Sequence, residues 1–389
     1  VIFFNKNQMA LNITAENSID ILSVTNLKLI NYRNYPHINL NFSNQPVIIT
    51  GANGVGKTNI LEAISLLSPG RGLRNIKLEE IGRQDKDSKT KHNWQIKAFI
   101  NSVYGPMEVV TSSNIDEDDK STKRYIKIND QNIKNQSELA KIFSIIWLTP
   151  QMDQLFIGSS LNRRRFIDRL VFNFDAEHAA RIGKYENLMR ERVKLLKKSY
   201  QDNIWLNAVE QNMAEVAVAI AASRVQIIEY LQAMINVSTG AFPKAKISMK
   251  GELEEKVVNM PSLQLEEEFK QKLKSYRETD FFTGRTNAGI HRSDLLVYHL
   301  HKNIEASNCS TGEQKALLLS IILAEAKARI KWRSSTPVLL LDEVIAHLDE
   351  DRRYALFEEL LAMQAQCWIT GTDKSIFDSL INHAQFIEL

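Results

Sequence analysis

The sequence predicts an α/β protein: a nucleotide-binding domain built from both chain ends and interrupted by a mainly helical insert. Three observations predict it. A glycine-rich phosphate loop stands at Gly51–Thr58, and an apolar run ending in an acidic pair stands at Val338–Glu343. Between them, from about residue 160 to 240, glycine and proline become scarce and apolar residues recur at helical spacing.

Residues 21–30 and 38–42 alternate apolar and polar side chains, as half-buried strands do. Residues 46–50 are a short apolar run, read as a buried strand that feeds into Gly51 and a helical pattern from Asn59 to Leu67. Residues 94–111 and 124–133 read as further strands, separated by the acidic run Asp116–Asp119, a solvated hairpin loop. Leu206, Val209, Met213, Val216, Ile220, Ser223, Ile227, Tyr230 and Met234 step by three and four. That spacing is a seam along a helix of about 30 residues, roughly 45 Å long. The segment Glu177–Tyr200 is also helical and would pair with it antiparallel, as a hairpin with its own small core; a partner-binding arm fits the same pattern. There follow a strand at Ala245–Lys250, a charged helix at Leu263–Tyr276, a strand at Leu295–Tyr298 and a helix at Glu313–Ile330. The buried strand Val338–Leu341, a helix at Asp351–Met363 and a last strand at Cys367–Thr370 complete the chain. The expected division is a loose tail at 1–20, a nucleotide-binding domain of 21–158 and 285–389, and a helical insert of 159–284 serving dimerisation or DNA binding.

The chain has 389 residues, 44% of them hydrophobic, enough for two or three domains with a real core. A net charge of +3 means that any nucleic-acid surface is local. Two distant cysteines, Cys309 and Cys367, exclude a disulfide scaffold and a cysteine-rich zinc site and fit a reducing cytoplasm. No apolar run reaches the roughly 18 residues of a membrane span. Val1–Phe4 turns polar too quickly for a signal peptide, and translation starts either at Val1 or at Met9.

Gly51-Ala52-Asn53-Gly54-Val55-Gly56-Lys57-Thr58 fits the Walker A pattern in full, between a strand and a helix. Its backbone N–H groups would close around phosphates at a helix N-terminus. Lys57 would reach the β- and γ-phosphates of ATP and Thr58 would hold Mg²⁺. Asp342 suits the second Mg²⁺ contact, and Glu343 suits the base that orients the attacking water. Gln151 could sense the γ-phosphate and metal, although a lone glutamine is ordinarily polar surface. Ser310-Thr311-Gly312-Glu313-Gln314 opens a helix with Ser310 as N-cap. Beyond being a capped start, it reads as the signature that covers the γ-phosphate of ATP held by a second subunit, with Asp349 downstream. These motifs together read as an ATP sandwich in which each of two subunits would complete the other's site. Arg71, Arg74, Arg163, Arg164, Arg165 and Arg169, then Arg190, Arg192, Lys194, Lys197 and Lys198, are each ordinarily a solvated or paired helix face. Their concentration in a near-neutral chain is also what a phosphate-backbone track needs. No base-reading motif appears, so such binding would be sequence-independent.

The chain resembles the RecF family, bacterial recombination and gap-repair ATPases similar in fold to the heads of SMC-type ABC ATPases. The matching stretches are Leu29-Ile30-Asn31-Tyr32-Arg33-Asn34-Tyr35, GANGVGKTNILEAI (51–64), SPGRGLR (68–74), NRRRFIDR (162–169), HRSDL (291–295), STGEQKALLLS (310–320) and LLLDEVIAHLDEDRR (339–353). Three departures stand out. Gln151 takes the place of an acid, Gly289-Ile290-His291-Arg292-Ser293 replaces Gly-Pro-His-Arg-Asp, and Thr372 stands where many ABC ATPases place a histidine, which suggests slow hydrolysis. The resemblance implies ATP-dependent homodimerisation on duplex or gapped DNA in replication and in repair of DNA damage. It also implies cooperation with RecO and RecR to load RecA. The alternative is the ATP-hydrolysing subunit of an ABC transporter, which would carry its signature much sooner after the phosphate loop. A long-armed SMC-type ATPase would need a far longer heptad insert. A regulatory protein with a dead site would lack chemical groups that are all present here.

Overall fold

The computed structural model describes residues 19–84, 92–115, 122–198 and 203–389. Residues 1–18 of the expected tail, the run Asp116–Asp119 and Tyr200 lie outside them. Asp20, the last residue of the expected tail, forms a short strand with Ile21, pairing parallel with Ser335–Thr336. Two compact units divide the described chain. One holds residues 19–153, 239–242 and 318–389, and the other residues 154–238 and 243–317. The later boundary falls at 317/318 rather than 284/285. Residues 285–317 go with the helical unit because Asp294–His299 pairs antiparallel along its whole length with Ala245–Lys250.

The first unit holds two sheets. A five-stranded sheet runs in the order Gln385–Glu388, Val47–Thr50, Cys367–Gly371, Val338–Leu341, Ile145–Leu148, every pair parallel. A six-stranded antiparallel sheet contains Ser23–Tyr32, Tyr35–Asn41, Gln95–Ser102, Gly105–Ile115, Thr122–Ile128 and Gln131–Asn132. The strand Val338–Leu341 is buried at every position, as expected for a strand covered on both faces. Helix Lys57–Ser65 places Ile60, Leu61, Ala63 and Ile64 in one core cluster with Val47, Ile49, Leu340 and Trp368 of the parallel sheet and Leu27, Leu29, Ile96 and Ile100 of the antiparallel sheet. It is buried almost all round, Lys57, Glu62 and Ser65 included, because it is the core element that both sheets share. Gln366 joins the same layers: its amide accepts from Val24 N at 2.8 Å and donates to Val24 O at 2.9 Å and Ser43 O at 2.8 Å, so this buried polar group is satisfied.

In the second unit the helix Asn203–Val237 has 35 residues, longer than its apolar seam indicates. Met213, Val216 and Ile220 of the seam are buried, and so are Ala214, Ala217, Val218 and Ala221 off it. These residues share a cluster with Leu253, Leu265, Phe269 and Leu273. The helix is therefore the central core element of its unit and not one half of a self-contained two-helix hairpin. An 18-residue stretch of it, with mean hydropathy 1.2, is long and apolar enough to cross a membrane, but half of that stretch is buried inside the protein, as in a core helix. The expected antiparallel partner is present at His178–Lys198. Arg192 Nε donates to Glu210 Oε1 at 2.9 Å, and Trp205 Nε1 donates to Glu191 Oε1 at 2.9 Å.

Candidate active site

The parallel sheet delivers four chain segments to its carboxyl edge, where open α/β sheets bind ligands. Val47–Thr50 leads into the phosphate loop, and Val338–Leu341 leads into Asp342 and Glu343. Cys367–Gly371 brings Thr370, and Ile145–Leu148 precedes Gln151, whose side chain is exposed in the turn Pro150–Gln154. Register puts Leu341 opposite Leu148 and Ile369, so Asp342 stands at this edge between the strand ends that lead to Gln151 and carry Thr370.

The phosphate loop is shaped by its glycines. Gly56 has φ 118°, and a Cβ there would stand 2.4 Å from Tyr35 Oη and 2.7 Å from Asn34 Nδ2. Asn34 Nδ2 donates to Val55 O at 2.9 Å, and Asn59 Nδ2 donates to Asn34 Oδ1 at 2.7 Å, which fixes the loop from outside. Lys57 is buried, with Nζ donating to Gly51 O at 2.8 Å and Ala52 O at 2.9 Å. The ammonium therefore sits folded into the loop, where phosphate oxygens can replace the two carbonyls.

Thr58 Oγ1 donates to Asp342 Oδ1 at 3.0 Å, and Thr370 Oγ1 donates to the same oxygen at 2.9 Å. Burial pushes the Asp342 carboxyl above its usual range, against the pull of the bonds from Thr370 and Thr58. A buried carboxylate whose charge is this poorly offset suits a divalent cation. Among the described residues no group of three or more His, Cys, Asp or Glu could hold a metal. One carboxylate and one hydroxyl fit Mg²⁺, which takes few protein ligands and completes its shell with phosphate and water. Glu343 follows with φ 50°, its N–H donating to Thr370 Oγ1 at 2.8 Å. Thr370 carries no sequence signal of its own, being one hydroxyl in a buried strand.

Behind the loop, Arg33 grips Glu62 through two bonds, Nε to Oε2 at 2.8 Å and Nη2 to Oε1 at 2.7 Å. Arg74 lies 3.6 Å from Glu62 Oε2 and donates to Asn59 Oδ1 at 3.0 Å. Of the two arginines put forward for DNA here, Arg74 is thus engaged inside the site's framework, and Arg71 is exposed. Arg124 holds the 68–74 loop by donating to Gly70 O at 2.7 Å and to Leu66 O.

The signature segment is a capping box. Ser310 N and Ser310 Oγ both donate to Glu313 Oε2 at 3.0 Å, and Glu313 N returns to Ser310 Oγ at 3.4 Å. Bonds from Lys302 and from Ser310 hold the Glu313 carboxyl down at about 2. Gln314 is turned inward, donating to Cys309 O at 2.9 Å. Ser310 and Thr311 are exposed, and a Cβ added at Gly312 would meet nothing within 4 Å. Asp349 caps the helix Glu350–Ala362, its Oδ1 accepting from Arg352 N at 2.8 Å.

In the helical unit the basic residues separate into two kinds. Arg163 clamps Asp294 at 2.7 and 2.8 Å and also donates to Phe156 O and Gly158 O, so its role is to hold the fold together. Arg192 is fully buried against Glu210 and Asp280. Arg165, Arg190, Lys194 and Lys197 are exposed, and Arg164 is half-buried. In the altered loop, buried Ser293 donates to Glu254 Oε2 at 2.7 Å, where an acid would set two carboxylates against each other.

Residues 23–386 match the model of the RecF/RecN/SMC N terminal domain. The chain is 44% identical over 367 residues to the DNA replication and repair protein RecF of Rickettsia typhi, covering 93% of this chain and 98% of that one. It is 42% identical to the protein of the same name from Mesorhizobium japonicum, covering 94% and 95%. The chain belongs to the RecF family. In fold the family member described here is similar to a solved structure of the recombination mediator protein RecF with ATP in the RecFOR pathway. The TM-score is 0.81 at 22% identity, over 93% of this chain and 95% of that one. It is also similar to an SMC head bound to the C-terminal winged-helix domain of ScpA, with a TM-score of 0.51 at 15% identity over 91% and 90%. The expected ABC-type, SMC-head-like α/β fold is therefore the one present.

Proposed function

We propose that the protein binds ATP at Gly51–Thr58, closes as a homodimer on DNA while ATP is bound, and hydrolyses ATP slowly to reopen, in DNA replication and gap repair. The observation that carries this is the bond between Thr58 and Asp342. Two groups that would share a cation are brought together from opposite ends of the chain, at the sheet edge that carries the phosphate loop. The names of the curated relatives support the setting, DNA replication and repair.

Lys57 would exchange its two carbonyl partners for β- and γ-phosphate oxygens. Mg²⁺ held by Thr58 and Asp342 would neutralise charge on those phosphates. Glu343, with its backbone fixed by Thr370, would orient the attacking water, and Gln151 would face the γ-phosphate from the neighbouring strand end. Ser310, Thr311 and Gly312 would cover that phosphate from a second copy, whose approach gives a reason for glycine where its own chain leaves room for a side chain. Thr372 offers an exposed hydroxyl where a histidine would assist the water, in line with a weak, DNA-dependent ATPase. DNA would be duplex or gapped and bound without regard to sequence. A cytoplasmic setting and work with RecO, RecR and RecA rest on family kinship alone.

The test is DNA binding with ATP, with ADP and without nucleotide, on duplex, gapped and single-stranded substrates. Tighter binding with ATP than with ADP supports the proposal, and equal affinity in all three conditions contradicts it.

A further inference from the structure

Wholly within the helical unit lies a cavity of about 700 Å³ lined by no residue of the phosphate loop, the Asp342–Glu343 pair or the signature segment. Its wall carries Arg164, Arg190, Lys194, Arg285, Arg292 and His291 and, among the described residues, no carboxylate. Arg190 and Lys194 stand one turn apart on helix His178–Lys198, and Met189 and Val193 beside them supply an apolar strip. The other cations come from helix Ser160–Phe172 and from the segment after Gly284.

The buried and half-buried arginines Arg163, Arg192, Arg277 and Arg224 of this unit are matched with acids: Arg163 with Asp294, Arg192 and Arg277 with Glu210, Arg224 with Asp168 and Glu254. Those around the cavity are not. Arg190, Lys194, Arg285 and Arg292 are exposed and make no ion pair among the described residues, and Arg190 donates to the neutral Asn187. Arg164 donates to Ser293 O at 2.7 Å. Burial and then the neighbouring Arg224 hold its guanidinium below the usual value. Burial likewise lowers His291, and Arg292 and Arg164 add to the effect. The lining is thus positive, with Asp294 and Asp168 offsetting Arg164, and Asp280 offsetting His291, only in part. Like charges packed within a Debye length, about 8–10 Å, repel one another, and an incoming anion relieves that repulsion.

The volume lies in the range of about 300–1,000 Å³ typical of ligand sites, more than a bare phosphate needs. We propose that this cavity binds the phosphate groups of a nucleic-acid strand, with a sugar or base laid against Met189 and Val193. The proposal rests on the DNA-binding function above and gives it a place in the chain. Guanidinium groups suit it, because they meet phosphate oxygens in pairs.

The test uses two full-length variants, Arg190→Glu/Lys194→Glu and Arg285→Glu/Arg292→Glu. Fluorescence anisotropy follows their binding to a labelled gapped duplex with ATP at several salt concentrations. Each pair should lose about tenfold or more in affinity at low salt, with the salt slope reduced by about 0.7–0.9 for each phosphate no longer neutralised. Binding of a fluorescent ATP analogue and the Tm should stay at wild-type values. Unchanged affinity and slope in both variants, while the wild type binds DNA, would overturn the cavity and leave DNA binding standing. Loss of ATP-analogue binding with DNA binding intact would assign the cavity to a free nucleotide and so overturn the strand. A wild-type chain that binds no DNA with any nucleotide would overturn the underlying function itself.

Discussion

Thr58 Oγ1 donates to Asp342 Oδ1 at 3.0 Å across 284 positions of sequence, and Thr370 brings a second hydroxyl to the same oxygen at 2.9 Å. Thr370 also accepts from Glu343 N and so holds that residue in a left-handed conformation that costs about 1–2 kcal/mol. Thr370→Val keeps the shape and removes both bonds. We expect ATPase activity to fall about 10–100-fold, the usual cost of losing a group that orients a metal ligand. The Mg²⁺ concentration for half-maximal rate should rise. Initial rates over a Mg²⁺ series check this, and an unchanged series would separate Thr370 from the site.

A Cβ added at Gly312 would meet no side chain within 4 Å. In a helix, alanine is more favourable than glycine by about 1 kcal/mol. Gly312→Ala should therefore leave the Tm unchanged or slightly raised while weakening ATP-dependent dimerisation. Thermal unfolding and sedimentation on the same sample read the two effects separately. A variant that dimerises normally would remove the need for a second subunit at this position.

Asp168 accepts from Arg224 at 2.8 and 2.9 Å and from His178 at 2.9 Å. Burial alone would raise its carboxyl, but the bonds and charges of His178 and Arg224 outweigh burial and hold it below the usual 3.8. The unfolded chain then binds the proton more readily than the folded one. The contribution is full above that value and fades as pH falls through the lower folded value. Asp168→Asn should cost about 3 kcal/mol at neutral pH, the low end for breaking a buried pair. The gap from wild type should narrow in acid. Urea unfolding from neutral pH to below pH 3.8 measures it.

Arg163 and Arg165 sit two positions apart on one helix and differ in surroundings. Arg163→Glu would set a second carboxylate against Asp294 and should destabilise the protein by about 3 kcal/mol or more. Arg165→Glu, at an exposed position, should stay within about 0.5 kcal/mol. Denaturant midpoints of the two variants decide this, and equal midpoints would contradict it. Weaker DNA binding after reversal of Arg163 would accordingly report a damaged fold, not a missing phosphate partner.

The phosphate loop and the Asp342–Glu343 pair were legible in the sequence because each is a local pattern whose chemistry dictates its spacing. The strand Val338–Leu341 was legible to the residue, since an apolar run bounded by a proline and an acid has sharp ends. The strand Ile145–Leu148 was not, because four apolar residues carry no period. Partnerships were the least legible. Nothing local shows that Arg163 meets a carboxylate 131 positions away, or that Gln366 bridges to Val24 at a separation of 342. A cluster of arginines in sequence gives their number, and only the fold separates the paired ones from those left unpaired around a cavity.

The central claim, an ATP-held dimer opened by hydrolysis, is tested most directly by sedimentation velocity of Glu343→Gln with and without ATP. The account predicts a monomer without nucleotide and a persistent dimer with ATP, where the wild type's dimer decays as ATP is consumed. A variant with the same monomer–dimer distribution in both conditions would contradict it.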